Sequence, residues 1–445
     1  KNTLFNLMNI LHINYSDNEG GAAQAVNSIH ESLLKKNVES KMLVAEKHEE
    51  NEFIIGPNST TEIIKNNFKK TVNRNLGFFF KTKNKATHSI NLFPSGLHKK
   101  INKLNPDWVN LHWIGNEMIS IKEISRIKPK IVWTLHDMWP FCGAEHYTND
   151  NRFCLAEKKE NRPKYESKFD LNRFIWKKKL KYFEKIEKII CTSEWMYKKA
   201  KSSILFNKKH IELIPLALNN KIWKPFDKNH AKKFLNIDEN QKVILFGADN
   251  FLSSRKGFEY FCNAIKILKT AHNKNFKTLL FGCNEKNTGI EIDNCENLGK
   301  IKDKHTLRLV YSAADVTVIP STIEAFGLIA QEATFCNSPC VVFEETGLTS
   351  DDVQFKSNIK PLEEVYIGIN KVKYKHVYFF AEFISDKKIW LDPNNKMQTI
   401  EISKIGWCDL QKSLSLIRPY HQEKLNVVKK GFQILVNKDK YFSEI

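Results

Sequence analysis

Residues 319–332 read I-P-S-T-I-E-A-F-G-L-I-A-Q-E, a run that leaves the chain little choice of local fold. Before it, residues 314–319 (A-D-V-T-V-I) make a short apolar run of the kind a buried parallel strand carries. Pro320 and Ser321 end that strand, and Gly327 permits a sharp turn. Good helix formers at 328–335 then lead to Pro339 and a second apolar run at 340–343. Strand, turn, helix, strand is the unit of a parallel α/β sheet. Strands and helices alternate in the same way through both halves of the 445 residues. The expected fold class is therefore α/β, with two doubly wound, Rossmann-like domains of roughly 200 residues whose ligand loops face each other across a cleft.

The positions of two glutamates suggest the ligand. A helix start offers N–H groups without partners and the positive end of a dipole, which suits phosphate. Phe326, Gly327 and Leu328 make that start here. Glu324 lies just before it, and Glu332 lies inside the helix, roughly 8 Å beyond its start at 1.5 Å per residue. Carboxylates repel phosphate but accept hydrogen bonds from hydroxyls. A diphosphate with a sugar at each end fits this pattern, and that ligand is a nucleotide-diphosphate sugar. An ordinary strand–helix unit with two surface glutamates would show the same spacing.

The pattern E-x-F-G-L-x-x-x-E, preceded by P-S and further upstream by A-A-D-V, resembles the signature of family 4 glycosyltransferases of the GT-B fold. The resemblance runs over roughly residues 8–355 and is most specific in the second half. It implies that Glu324 meets the donor sugar, that Glu332 meets the ribose, and that the backbone of Phe326, Gly327 and Leu328 meets the diphosphate. It also implies transfer with retention of anomeric configuration and no metal requirement.

In the first half, residues 8–14 (M-N-I-L-H-I-N) predict a buried strand and 22–36 a helix with Ala25, Ile29, Leu33 and Leu34 on one face. Between them stand Gly20 and Gly21, which let the backbone approach a ligand closely. They do not form a G-x-G-x-x-G fingerprint, which disfavours a dinucleotide-dependent dehydrogenase. A tight turn alone would also explain them; the family resemblance sets them against donor and acceptor. The strand at 130–135 runs into T-L-H-D, at the edge where open α/β sheets bind ligands. By resemblance His136 lies beside the donor sugar, a core or loop histidine being the alternative. Residues 138–154 are aromatic and polar, suited to stacking on sugar rings and bonding their hydroxyls. Asp137, Trp139, Glu145 and His146 are the acceptor-side candidates. Residues 47–100 are basic and irregular, facing either solvent or the acceptor and a membrane. The basic aromatic stretch 169–188 predicts a helix lying on an anionic membrane surface or, equally, packed on the sheet.

The second half opens with a buried strand at 242–247, the loop A-D-N-F-L-S-S-R-K-G and a helix from about Gly257. Arg255 and Lys256 bring cations to that helix start, which is what phosphate requires. Two surface cations are the plain alternative. By resemblance Lys256 is the diphosphate-binding lysine. The family's arginine usually sits in a G-R just after the strand, but Gly247 and Ala248 stand there, so Arg255 is taken as its substitute. The expected domains are 8–222 on the acceptor side, a linker at 223–240, a nucleotide-sugar domain at 241–415, and a terminal helix over 416–445 that crosses back to the first domain.

The net charge of +20 calls for an anionic partner. No zinc-finger or RNA-recognition fingerprint accompanies it, so nucleic acid is not expected. Nine scattered cysteines fit reduced thiols better than a disulfide framework. Cys336 with Cys340, and Cys142, His146 and Cys154, are the only groupings with any look of a metal site, and both are weak. With no D-x-D, Walker loop or G-x-S-x-G, neither metal nor other cofactor is expected. No apolar run reaches the ~18–20 residues of a membrane span, and no signal-peptide core is recognisable, so the expected location is cytoplasmic, peripheral on the inner face of the plasma membrane. The expected activity is hexosyl transfer from a nucleotide-diphosphate sugar to a saccharide or polyprenyl-diphosphate-linked acceptor, in bacterial surface-polysaccharide synthesis. A sugar-nucleotide epimerase or hydrolase on the same fold, and a degenerate transferase kept as a binding protein, are the alternatives.

Overall fold

The computed structural model describes residues 8–75, 80–272, 276–283, 292 and 294–343, and beyond them only 353–355, 362–367, 373–378, 381–383, 426 and 429. The chain divides into two compact units, 1–343 and 344–445. The division falls inside the domain expected over 241–415. The expected terminal helix over 416–445 lies outside the described residues, apart from the helical positions Asn426 and Lys429.

The first unit runs β1 (Asn9–Ser16), α1 (Gly20–Leu34), β2 (Glu39–Glu46), β3 (Ile54–Ile55), α2 (Thr60–Arg74), β4 (Phe80–Lys81), α3 (Leu97–Leu104), β5 (Trp108–Leu111), α4 (Ile121–Ile124), β6 (Lys130–Leu135), β7 (Ser167–Lys168), α5 (Leu171–Tyr182), β8 (Ile186–Cys191), α6 (Glu194–Ser202) and β9 (His210–Leu213). It continues with α7 (Lys228–Phe234), β10 (Lys242–Gly247), α8 (Phe258–His272), β11 (Phe276–Phe281), β12 (Cys295–Asn297), α9 (Lys304–Ala313), β13 (Val316–Ile319), α10 (Leu328–Phe335) and β14 (Cys340–Val342). Seven strands form a parallel sheet in the order β3-β2-β1-β5-β6-β8-β9, and five form another in the order β12-β11-β10-β13-β14. In the second unit β15 (Val353–Phe355), β16 (Leu362–Ile367), β17 (Lys373–Tyr378) and β18 (Ala381–Phe383) make two antiparallel pairs, β15 with β18 and β16 with β17.

A parallel sheet covered on both faces needs strands that are apolar on both sides. Strand β10 meets this need. Val243 and Leu245 join a core with Leu279, Phe281, Val310 and Tyr311, while Phe246 joins one with Phe258, Phe261 and Leu280. The first sheet builds its core in the same way from Leu11, Ile13, Val109, Leu111, Trp133 and Leu135.

Three expectations need correction. The buried face of α1 is Ala23, Ala25, Val26 and His30, with Ile29, Leu33 and Leu34 only half-buried. The helix starts two residues earlier than expected, and its closest approach to the sheet takes small side chains. The basic stretch 47–100 is not irregular: it holds α2 and α3, and Lys69 is buried. Helix α5 turns Leu171, Ile175 and Trp176 into the core, which favours the packed-helix reading over the membrane one.

Candidate active site

In an open parallel sheet, ligands bind at the carboxyl edge where the strand order reverses. The two sheets reverse between β1 and β5 and between β10 and β13. The loops that follow these strands line a single cavity of about 1430 Å³, which also takes residues after β6.

Gly257 anchors the second-half wall. It adopts a left-handed backbone at φ +69°, and a Cβ there would run into the Pro320 carbonyl oxygen. Only glycine lets the β10 loop press so closely on the β13 loop. The contact is sealed by the Thr322 N–H donating to the Arg255 carbonyl at 2.8 Å. Lys256 Nζ then lies 2.6 Å from Glu324 Oε1, and Arg255 Nη1 lies 3.7 Å from Glu324 Oε2. The Arg255 guanidinium also rests 4.7 Å from the centre of the Tyr147 ring, a first-half residue. Helix α10 begins at Gly327 in a left-handed turn with no side-chain cap. Its first N–H groups therefore face the cavity as a ready anion site. Glu332 is buried and accepts a 2.9 Å bond from the Tyr311 hydroxyl. Burial pushes its carboxyl up to about 7, against the opposing pull of Tyr311 and Lys304.

The first-half wall answers this one. Helix α1 starts at Gly20, also without a side-chain cap. A Cβ on Gly21 would stand 3.6 Å from Leu328 Cδ1, so two bare helix starts meet across the cavity. Lys300 reaches Glu19 at 3.2 Å, Gln331 donates to the Leu216 carbonyl at 3.0 Å, and Ser193 Oγ donates to the Ala325 carbonyl. His136 lines the cavity at the end of β6, and burial pulls its ring down to about 4. Asp137 and His146 also line the cavity but engage each other, Asp137 Oδ2 to His146 Nδ1 at 2.6 Å. Burial opposes the charge of Asp137, yet His146 and the Trp139 N–H hold the carboxyl below its ordinary value. His146 Nε2 in turn meets Ser89 Oγ at 2.8 Å. That Ser–His–Asp order is not a nucleophile site, because Ser89 is fully buried and does not border the cavity.

Trp139 and Glu145 are not where the acceptor-side expectation put them. Both are buried away from the cavity. The Trp139 indole donates to the Ser89 carbonyl at 2.8 Å. The loop is drawn inward by Lys179, which is fully buried and donates to the carbonyls of Trp139, Cys142 and Gly143. Gly143 lets the loop lie on α5, where a Cβ would come within 2.5 Å of Asn172. Cys142, His146 and Cys154 do not converge. Among the described residues the one close group of potential metal ligands is Glu19, Glu46 and His48. Two of its carboxylates already pair with Lys300 and Lys70.

Sequence reasoning passed over Tyr311, Tyr147 and the histidines His12 and His112. Tyr311 carries no motif, and only the packing of α9 on α10 reveals it. The histidines do leave a trace, since Leu-His recurs at 11–12, 111–112 and 135–136, on or just beyond β1, β5 and β6.

Two family models match the chain: Glycosyltransferase Family 4 over residues 20–220, and Glycosyl transferases group 1 over residues 227–353. The chain belongs to the GT-B glycosyltransferases. Among curated relatives of this glycosyltransferase, an uncharacterized glycosyltransferase of Methanocaldococcus jannaschii, MJ1607, is 32% identical over 131 residues, 27% of this chain and 32% of its own length. A protein of Acanthamoeba polyphaga mimivirus named for mRNA decapping is 35% identical over 94 residues, 21% of this chain and 25% of its own. The matches thus span about a quarter to a third of those relatives. In fold, the chain is similar to the catalytic domain of starch synthase IV from Arabidopsis thaliana bound to ADP and acarbose. The TM-score there is 0.51 at 13% identity, covering 79% of this chain and 85% of that one. No helix among the described residues is long and apolar enough to cross a membrane.

Proposed function

We propose that this glycosyltransferase moves a sugar from a nucleotide-diphosphate donor to a saccharide or polyprenyl-diphosphate-linked acceptor, with retention of configuration. The observation that carries the reading is the convergence of Arg255, Lys256, Glu324, Glu332 and the bare start of α10 on one cavity. The hard part of the reaction is charge: the diphosphate departs as an anion while the sugar becomes oxocarbenium-like. Lys256, Arg255 and the α10 N–H groups stabilise the leaving group. Glu324 accepts from donor-sugar hydroxyls, Glu332 accepts from the ribose, and His136 lines the reacting face. The acceptor oxygen bonds to the anomeric carbon as the bond to the phosphate oxygen breaks. The acceptor's proton passes to the departing phosphate, so no protein base is required. Fixed cations and helix starts do the work a metal would do, and we propose that none is needed. That the starch synthase IV catalytic domain, similar in fold, is bound to ADP supports a nucleotide in this fold. A surface-polysaccharide intermediate at an anionic membrane rests on the family resemblance and the chain's positive charge.

The test is product analysis. The chain is incubated with uridine- and guanosine-diphosphate sugars, with and without polyprenyl-diphosphate saccharides, in chelator. Acceptor-dependent release of nucleoside diphosphate with a retained anomeric linkage supports the reading. Release without acceptor, or an isomerised donor, replaces it with hydrolysis or epimerisation.

A further inference from the structure

Three histidines run in file into the cavity. His12 stands on β1, His112 just beyond β5 and His136 just beyond β6, three neighbouring strands. His12 Nδ1 lies 2.9 Å from His112 Nε2, and His112 Nδ1 lies 3.0 Å from His136 Nε2. The last two rings stack at 5.2 Å. His12 and His112 are almost wholly buried, whereas His136 borders the cavity. Burial lowers the basicity of all three rings, so each is neutral near pH 7 and carries one proton.

Three neutral rings have three protons on six nitrogens. Each of the two ring-to-ring bonds uses one proton and one lone pair. The third proton then sits at one end of the file, on His12 Nε2 or on His136 Nδ1. His12 Nε2 is buried and has no partner. A buried N–H without an acceptor is the rarer and worse arrangement. The proton belongs at the other end, on the nitrogen that borders the cavity.

We infer that His12 and His112 are positioning residues that fix His136 as an Nδ1–H donor into the cavity, for an oxygen of the bound donor. The ligand's identity rests on the proposed function, but the tautomer does not. His12 passes its constraint to His112 and His112 to His136, so a side chain two strands away sets whether the cavity meets a donor or an acceptor. His136 would thus donate to a sugar or phosphate oxygen and would not act as a base toward the acceptor hydroxyl.

The test is nitrogen NMR of the full chain labelled with ¹⁵N-histidine, with signals assigned through the His112→Asn and His136→Gln variants. The expected result is three neutral rings, each protonated on Nδ1. An Nε2–H signal for His136, or a charged ring at pH 7, overturns the inference whether or not the chain binds a nucleotide-sugar. The second arm is kinetic. His112→Leu removes the donor to His136 and should lower kcat at least about tenfold with little change in donor KM. His112→Asn keeps an N–H near the Nδ1 position and should restore most of that loss. Wild-type kcat in folded His112→Leu overturns the inference; if that variant does not fold, the tautomer measurement decides alone. Failure of the functional reading looks different: the tautomers are as expected, but no nucleotide-sugar binds.

Discussion

Lys256 Nζ lies 2.6 Å from Glu324 Oε1, an ion pair that joins two loops 68 residues apart. Each is a proposed donor contact, and each occupies the other. A diphosphate arriving at Lys256 and Arg255 would compete for the cations and release Glu324 to receive hydroxyls. Binding of the two ends of the donor is thereby coupled.

Lys256→Ala and Glu324→Ala should each lower kcat/KM by about a hundredfold or more, the usual cost of losing a preorganised charge at a leaving group. The pair is partly exposed, so stability should change by less than about 1 kcal/mol. Steady-state kinetics beside thermal melts separate the two effects. Wild-type rates in folded variants would sink the site assignment.

Gly257→Ala puts a Cβ into the Pro320 carbonyl and imposes a left-handed backbone on alanine. A loss of at least about 2 kcal/mol is expected, together with weaker nucleotide binding as Lys256 shifts. An alanine variant with the wild-type melting temperature and affinity would mean that the two loops do not need this contact.

Glu332 gives a pH signature. Its carboxyl titrates at about 7 when folded and at about 4.3 when unfolded. Between those values only the folded chain holds the proton. The stabilisation from neutral Glu332 is therefore full below about pH 4 and is lost as pH rises through 7. Glu332→Gln stays neutral and can still accept from Tyr311. Its stability relative to wild type should rise between pH 5 and pH 8 by on the order of 3 kcal/mol. Ribose hydroxyls favour the anion, so wild-type affinity for a nucleotide-sugar should rise over that interval while that of the variant stays low and flat. Melts and calorimetry at the two pH values check both halves.

Trp139→Phe tests the corrected loop. The indole's bond to Ser89 and its place beneath Lys179 are structural. The variant should lose about 1–2 kcal/mol and keep the acceptor KM. A raised acceptor KM at unchanged stability would return Trp139 to the acceptor site.

Where periodicity and turn chemistry act locally, the sequence was a good guide. The helix expected at 328–335 and the strand at 242–247 are found with those limits: Gly327 and Pro339 flank the helix, and the strand is an unbroken apolar run between a polar lead-in and a loop. The meeting of the signature glutamates with Arg255 and Lys256 at one cavity was legible because both loops leave the carboxyl edge of their strands. In the loop 138–154 the aromatic and polar composition suits a cavity wall and a buried turn alike: His146, Tyr147, Thr148 and Asn149 line the cavity, whereas Trp139 and Glu145 are buried away from it. Lys179, far off on α5, decides between them by satisfying three inward carbonyls. No local pattern carries that pairing, nor the one between Tyr311 and Glu332. Strand adjacency, which brings His12, His112 and His136 into file, is a property of topology that the Leu-His dipeptides at the three strands only hint at.

Calorimetric titration of the wild-type chain and Lys256→Ala, in chelator, with nucleoside diphosphates and their sugars is the most direct measurement. The expected result is micromolar binding of one nucleoside diphosphate and its sugar by wild type, weakened at least about tenfold in Lys256→Ala, roughly the 1.4 kcal/mol of one lost charge-assisted bond. Equal affinity in both proteins, or no binding by a well-folded wild type, would contradict the donor site.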